Sequence, residues 1–436
     1  MLGEAAGLAA WLAACTGACL GASGEDGFAS GAPDAPAESA STEGAEKASS
    51  PDSEPRAADP ATRTVPAQKG PLEPVKVDLV WTQFASAWDG PDIASGESYG
   101  GKIDVFAEIK GSAFGLDDSV RINVHPEFRY GGDPNAEIGL LPVNTALFYP
   151  RADGEVFDLS LNATKTWKSG TSLTVGKLNA LDYVAQIPIE GGGGLSGFHN
   201  LGIALPPSAI VPANLTGALL TVPTKKAIVR LWIYDPFLQS RRSGLEDPFA
   251  TGVGGLALVT VPTRFGGLPG AYTLKFTGTT RTGPPSEILP PILSPIPRGQ
   301  WGYQKGTGSV TVSFQQYLAM DRDNPGKGVG IFGQAFVADG DPNPLDWSAF
   351  FGVSGETPGR PQDRFGLGYV HYSLSDELVD DLSPFVAFQD EYGVEGYYRL
   401  GLTHWLAAQA NVQYINSSIA ARGTALIGTL SLQTRF

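Results

Sequence analysis

From about residue 75 to the C-terminus the chain is written in short stretches in which apolar and polar residues alternate one for one. The last stretch is the clearest. Between Thr424 and Phe436, one row reads Leu426, Gly428, Leu430, Leu432, Thr434 and Phe436, and the other reads Ile427, Thr429, Ser431, Gln433 and Arg435. A period of two is a β-strand, whose successive side chains point to opposite faces. One polar and one apolar face place such a strand between water and either lipid or a core. The number of strands, their length and how the last one ends decide between the two.

The pattern recurs along the chain. Ile103, Val105, Ala107 and Ile109 alternate with Lys102, Asp104, Glu108 and Lys110. Val120, Ile122, Val124 and Phe128 alternate with Arg121, Asn123, His125, Glu127 and Arg129. Sixteen strands are predicted, near 76–85, 101–110, 119–130, 155–166, 171–178, 213–222, 226–235, 251–262, 271–281, 307–318, 328–338, 346–355, 364–375, 392–403, 407–416 and 424–436. Most are about ten residues, the length a tilted strand needs to cross a bilayer. Connections alternate between short ones, such as Lys168-Ser169-Gly170 and Pro223-Thr224-Lys225, and long ones at 131–154, 179–212 and 282–306. Short turns on one side and long loops on the other are the bacterial outer-membrane arrangement, and an even count puts both chain ends on the periplasmic side. An aromatic last residue, Phe436, is the usual ending of such barrels. The expected fold is therefore all-β, a transmembrane antiparallel β-barrel of sixteen strands over 75–436, with a disordered N-terminal extension.

That extension has two parts. Leu8 to Ala22 is a small-residue apolar run too short to span a membrane, and reads as the core of an export signal over 1–23. Glu4 stands where a signal normally carries Lys or Arg, which points to a displaced start or a partial signal. Leu12-Ala13-Ala14-Cys15 resembles a lipoprotein box, so lipidation of Cys15 and ordinary cleavage near Ala22 both stay open. Residues 24–74 are rich in Ala, Pro, Ser and Glu and are expected to be a disordered linker, a bare spacer or a periplasmic tether. From Gly24 to Val75 there are ten Asp or Glu against four Lys or Arg, about −6 of the net charge of −15. That balance argues against nucleic acid as a partner. Cys15 and Cys19 are the only cysteines, which suits an exported protein without disulfides better than a zinc site.

Two stretches resemble the carbohydrate-selective porin family (OprB-like). One is Arg360-Pro361-Gln362-Asp363-Arg364-Phe365-Gly366-Leu367-Gly368-Tyr369. The other is Glu395-Gly396-Tyr397-Tyr398-Arg399, then Leu402-Thr403-His404-Trp405-Leu406 and Gln409 through Gln413-Tyr414-Ile415, with His404 where the family usually has proline. Gly176-Lys177-Leu178-Asn179 with Asp182, and Phe198 with Asn200, are also similar to family segments. The resemblance implies a sixteen-stranded porin in the outer membrane of a Gram-negative bacterium, passing glucose and similar sugars.

Strand parity then assigns the lumen. Glu108, Arg121, Glu127, Arg129, Arg230, Trp232, Glu395, Tyr397 and Arg399 are expected to face it. Mixed Arg and Glu suit a polyol, whose hydroxyls donate and accept, and aromatic faces can stack on a pyranose ring. Opposite charges in a barrel wall also pair simply to hold the lumen rigid. The third external loop, 179–212, carries Gly191-Gly192-Gly193-Gly194 and is expected to fold inward and narrow the pore, with an exposed flexible loop as the alternative. No cofactor, metal or catalytic residue is implied. None of the four histidines sits in a recognisable nucleophile motif, so an enzyme is not expected. The rivals are a general or anion-preferring porin, and a plugged binding or adhesion barrel. Monomer and homotrimer fit the strand pattern equally well.

Overall fold

The alternation is carried by sixteen strands: β1 (Val75–Gly90), β2 (Ile93–Lys110), β3 (Val120–Gly131), β4 (Val156–Thr166), β5 (Ser172–Asn179), β6 (Asn214–Pro223), β7 (Ile228–Tyr234), β8 (Gly254–Phe265), β9 (Leu268–Thr282), β10 (Lys305–Met320), β11 (Gly328–Ala338), β12 (Leu345–Thr357), β13 (Arg360–Leu374), β14 (Glu391–Gly401), β15 (Leu406–Asn416) and β16 (Thr424–Arg435). A computed structural model describes residues 74–436, apart from 133, 136, 148–155, 192, 205–210, 241, 285–300, 322, 323 and 325. The expected export signal, both cysteines and the linker up to residue 73 lie outside the described residues.

Each strand pairs antiparallel with its chain neighbours, and β1 also pairs with β16 from Val80 opposite Arg435 to Asp89 opposite Leu426. At the seam Phe436 N donates to Leu79 O at 2.9 Å, and Leu79 N donates to Phe436 O at 3.1 Å. The sheet is thus a closed barrel without free edges, the one β arrangement that leaves no backbone donor or acceptor facing hydrocarbon. On β16 the outward row is exposed, with Leu430 at 66% and Phe436 at 71%, while Ile427, Thr429 and Ser431 are buried inside. The same holds around the ring, where Phe157, Leu231, Ile233, Phe351 and Leu367 form an outer apolar belt. Among the described residues no helix is long and apolar enough to cross a membrane.

Three local features depart from the simple alternation. First, β1 and β2 run well past the predicted ends and meet in a tight turn at Pro91-Asp92, so 86–100 is strand rather than loop. The period is hidden there because Gly96 stands opposite Trp88, and a Cβ on Gly96 would lie 2.4 Å from the indole. Second, Gly96-Glu97-Ser98-Tyr99-Gly100 has the spacing of a hydrolase nucleophile elbow, but Ser98 lies within β2 opposite Ser86 and not on a strand-to-helix turn. Third, Gly176 takes a φ of +139°, and a Cβ there would sit 2.4 Å from Leu161 O. Before it, Thr174 faces inward to Thr164 (2.9 Å); after it, Lys177 and Asn179 face inward instead. One glycine shifts the parity of the strand by one residue.

The outer belt can be tested directly. Leu430 lies mid-strand on the lipid face, so Leu430→Arg is expected to destabilise the barrel in vesicles by about 2–4 kcal/mol. Urea unfolding followed by tryptophan fluorescence measures this, and a cost below that of Leu430→Ala would contradict the outward assignment.

Candidate functional site

The loop between β5 and β6, here L3 (residues 180–213), shapes the lumen. It leaves β5 through a short helix, α1 (Ala180–Val184), whose N-cap Asn179 accepts from Leu181 N at 3.0 Å. Gly193 (φ +54°) then packs against α1, where a Cβ would come within 2.9 Å of Ala185. On both sides of this turn the loop lands on the far wall. Ile189 N donates to Gln315 on β10 at 2.9 Å, and Arg364 Nη2 on β13 donates to Pro188 O and Ile189 O, each at 2.6 Å. Glu395 on β14 accepts from His199 N at 2.7 Å and Asn200 N at 2.9 Å. Gln409 and Asn411 on β15 donate to Gly197 O at 2.8 and 3.0 Å. Since β5 and β13 stand on opposite sides of a sixteen-membered ring, L3 crosses the lumen.

Apolar packing seats the same landing. Phe198 is fully buried, edge-on to Phe332 (centroids 5.4 Å apart) and to Tyr397 (4.9 Å). Gly366 makes room for it, because a Cβ there would approach the Phe198 ring to 2.8 Å. Burying a side chain of this size stabilises by about 1.5–3 kcal/mol. The next helix, α2 (Leu201–Ala204), places Ile203 in the same cluster with Phe350 and Val370. The loop between β3 and β4, here L2, covers the adjoining wall. Glu391 accepts from Leu140 N (2.9 Å) and Leu141 N (3.2 Å), and Ile138 and Val143 pack on Ile415, Ala425 and Ile427. L2 and L3 are joined where Thr145 N donates to His199 O and Leu201 N to Pro142 O, both at 2.8 Å.

The root of L3 is held electrostatically. Lys102 on β2 reaches Asp104 at 2.8 Å and also contacts Glu127 on β3, and Arg129 lies 3.2 Å from Glu127. Asn179 donates to Glu127 at 2.8 Å, and Lys177 pairs with Asp158. His125 places Nε2 3.0 Å from Asp104 and Nδ1 2.9 Å from Asp182 of α1, with Phe106 stacked 4.1 Å away. Asp104, His125 and Glu127 lie close enough together to hold a cation, yet the Lys102 ammonium already stands between the two carboxylates. Buried charges this dense are stable only when paired, so each member depends on the others.

The nine residues singled out in the sequence all project to the inner face, but they divide into two groups. Glu127, Arg129, Glu395 and Tyr397 are buried, Glu127 and Arg129 in the ionic cluster and Glu395 and Tyr397 beneath L3. Glu108, Arg121, Arg230, Trp232 and Arg399 remain partly exposed, with Arg121 Nη1 3.7 Å from Glu108. Trp232 lies edge-on to Tyr183 of α1 at 5.0 Å, and its buried Nε1 has no hydrogen-bond partner among the described residues. Parity missed Lys177, because Gly176 shifts the strand, and Phe106, an apolar residue on the polar face. Only the Gly176-Lys177-Leu178-Asn179 resemblance marked that turn of the wall. The inward loop and its glycine turn match the expectation for 179–212.

A family model described as carbohydrate-selective porin, OprB family, matches residues 210–436. The chain belongs to that family. Porin B of Pseudomonas aeruginosa is 28% identical over 192 residues, 39% of this chain and 42% of that protein, so the match spans less than half of the relative's length. Among solved structures, the high-pH structure of Pseudomonas putida OprB has a TM-score of 0.68 at 16% identity, covering 83% of this chain and 94% of that one, a likeness of fold. Family and fold place this porin in the outer membrane of a Gram-negative bacterium.

Two expectations follow for L3. Glu395→Ala in this porin leaves the His199 and Asn200 amides without acceptors, each at a cost of about 1–3 kcal/mol. Single-channel current should become larger and noisier, and unaltered current would mean that L3 is held without this clamp. Secondly, burial pushes His199 from its ordinary 6.5 down to about 3. A depressed histidine stabilises the docked loop above the undocked value, so docking weakens as pH falls from about 6.5 towards 3, by about 1.4 kcal/mol per pH unit. Glu190 acts oppositely, because burial, opposed by Lys275, pushes it up to about 8 and docking weakens as pH rises from 4.5 towards 8. In His199→Gln the acid-side rise in protease cleavage within L3 should disappear while the alkaline side persists. Identical pH profiles would remove His199 from the account.

Proposed function

We propose that this porin conducts small sugars such as glucose into the periplasm by passive diffusion and performs no catalysis. The observation that carries the reading is the uneven covering of the lumen. L2 and L3 bury the inner wall of β10–β16 and β1, where Glu391, Glu395, Tyr397, Gln413 and Ile427 are at most 5% exposed. Partly exposed inward residues remain on β2–β4 and β7–β9: Glu108, Arg121, Asn123, Arg230, Trp232 and Lys275. A passage along that side presents carboxylate acceptors, cationic donors and an indole on one surface. Neutral polyols are matched by such a mixture, since each hydroxyl both donates and accepts. Arg230 and Trp232 stand two residues apart on β7, both facing inward, so a pyranose ring stacked on the indole would have a guanidinium beside its hydroxyls. The family description supports the substrate class.

Glu127, Arg129, Glu395 and Tyr397 act in this reading as scaffold that sets the opening, and Glu108, Arg121, Arg230 and Trp232 as its lining. The outer apolar belt meets lipid, in a monomer or at the rim of a homotrimer. The test is ionic current through the full-length porin in planar bilayers while glucose is titrated. Partial, saturable reduction of the current is expected, and Trp232→Ala should weaken the apparent glucose affinity by roughly three- to tenfold, about the worth of one aromatic contact. Stable channels indifferent to glucose and other neutral sugars would sink the sugar reading. Folded protein without conductance would point to a plugged barrel.

A further inference from the structure

We infer that Arg399, backed by Arg364, is a seat for the carboxylate of a sugar acid at the rim of L3, so that the pore takes anionic as well as neutral sugars. The inference rests on the chain being a sugar-conducting pore and extends its substrate class.

The placement comes first. β14 runs from the external side at Glu391 to the periplasmic side at Gly401. Along its inner row Glu395 grips L3 through His199 and Asn200, and Tyr397 packs on Phe198. Arg399 is the next inward residue, level with the landing of L3, since its register neighbours Arg364 and Gln409 both bond the loop. A solute passing beside the loop meets it there.

The charge balance comes second. Lys102, Arg121, Arg129, Lys177 and Arg364 each have a carboxylate within 4 Å. Arg399 has none among the described residues. Its protein hydrogen bond is from Nη2 to the neutral Gln433 Oε1, at 2.8 Å. A guanidinium carries five N–H donors in a fixed fork, so most of its donors are left over, and the side chain is partly exposed to the lumen.

The neighbours come third. In register Arg399 stands opposite Arg364 on β13 and opposite Gln409 on β15. Two cations directly across a strand pair repel each other. Arg364 is fixed by its bonds to Pro188 O and Ile189 O, with Glu356 at 3.8 Å taking part of its charge. Asp363, the nearby acid on β13, is held on the opposite face by Tyr398 (2.9 Å), Gly401 N (2.9 Å) and Arg360, and does not enter the lumen. Among the described residues no carboxylate thus pairs directly with Arg399, and a planar carboxylate accepts two parallel N–H bonds from such a fork. A sugar acid brings that carboxylate together with the hydroxyls that the lining already suits.

The experiment uses full-length wild type, Arg399→Gln and Arg399→Lys in liposomes, comparing swelling rates in isosmotic sodium gluconate and in glucose. The gluconate-to-glucose ratio is expected to fall roughly three- to tenfold in Arg399→Gln and to recover for the most part in Arg399→Lys. Reversal potentials in a sodium gluconate gradient provide a second reading that needs no equal protein loading, and should shift towards cation selectivity in Arg399→Gln alone. Equal ratios and reversal potentials in all three proteins would overturn the seat while leaving the neutral-sugar pore intact. Gluconate flux without glucose flux in wild type, lost in Arg399→Gln, would support the seat and remove the neutral-sugar reading. No flux of either solute through folded protein would overturn both.

Discussion

Everything in this molecule depends on one requirement: inside a bilayer, each backbone N–H and C=O must find its partner within the protein. Sixteen strands meet it because β1 pairs with β16 across almost the whole length of the chain, and the terminal residue joins the ladder through Leu79. Once the ring is closed the backbone is spent, and the side chains are divided into two populations. Outward ones have only to be apolar. Inward ones are free to carry charge, since the lumen supplies water, loops or counter-charges.

The inner wall uses that freedom in two ways. On the side of L2 and L3, buried polar groups serve as mechanical fixtures, each carboxylate facing amide hydrogens of a loop, as Glu391 does for Leu140 and Glu395 for His199. At the root of L3, a compact set of opposite charges links β2, β3 and α1 through Lys102, Glu127, His125 and Asp182. Neither arrangement leaves a group for solutes. What is left over, on β7–β9 and near the periplasmic ends of β2–β4 and β14, is where a passing molecule finds unspent hydrogen-bonding capacity. A porin wall is thus two surfaces in one sheet, and burial distinguishes them where residue type does not.

The fold was legible because period-two patterning needs only neighbouring residues. Strands as different as β3 and β16 announced themselves through five or six alternating positions each. Where the pattern failed, packing had overruled it. Gly96 interrupts β2 because an indole needs its space, and Pro91-Asp92 reads as the start of a loop although it closes a hairpin. Parity also placed Glu395 and Arg399 correctly on one face, yet it could not separate their tasks. Whether an inward carboxylate grips a loop or meets water depends on a segment some 195 residues away, as Asn200 does for Glu395. The inward turn of L3 was legible as a glycine run in a long, mostly uncharged loop. Its landing points on β10, β13, β14 and β15 were not, because no local signal connects Gly197 with Gln409.

Gly176 has a consequence for how such a chain can change over generations. A strand that reverses its parity at one residue has two reading frames, and Thr174 and Lys177 belong to different ones. Replacing that glycine does not merely loosen a turn. It forces the upper part of β5 back into the frame of the lower part, turning Lys177 towards lipid and leaving Asp158 without its cation. Neutral drift at this position is closed unless several partners change together, so lineages sharing this barrel should keep the glycine long after the loops above it have become unrecognisable.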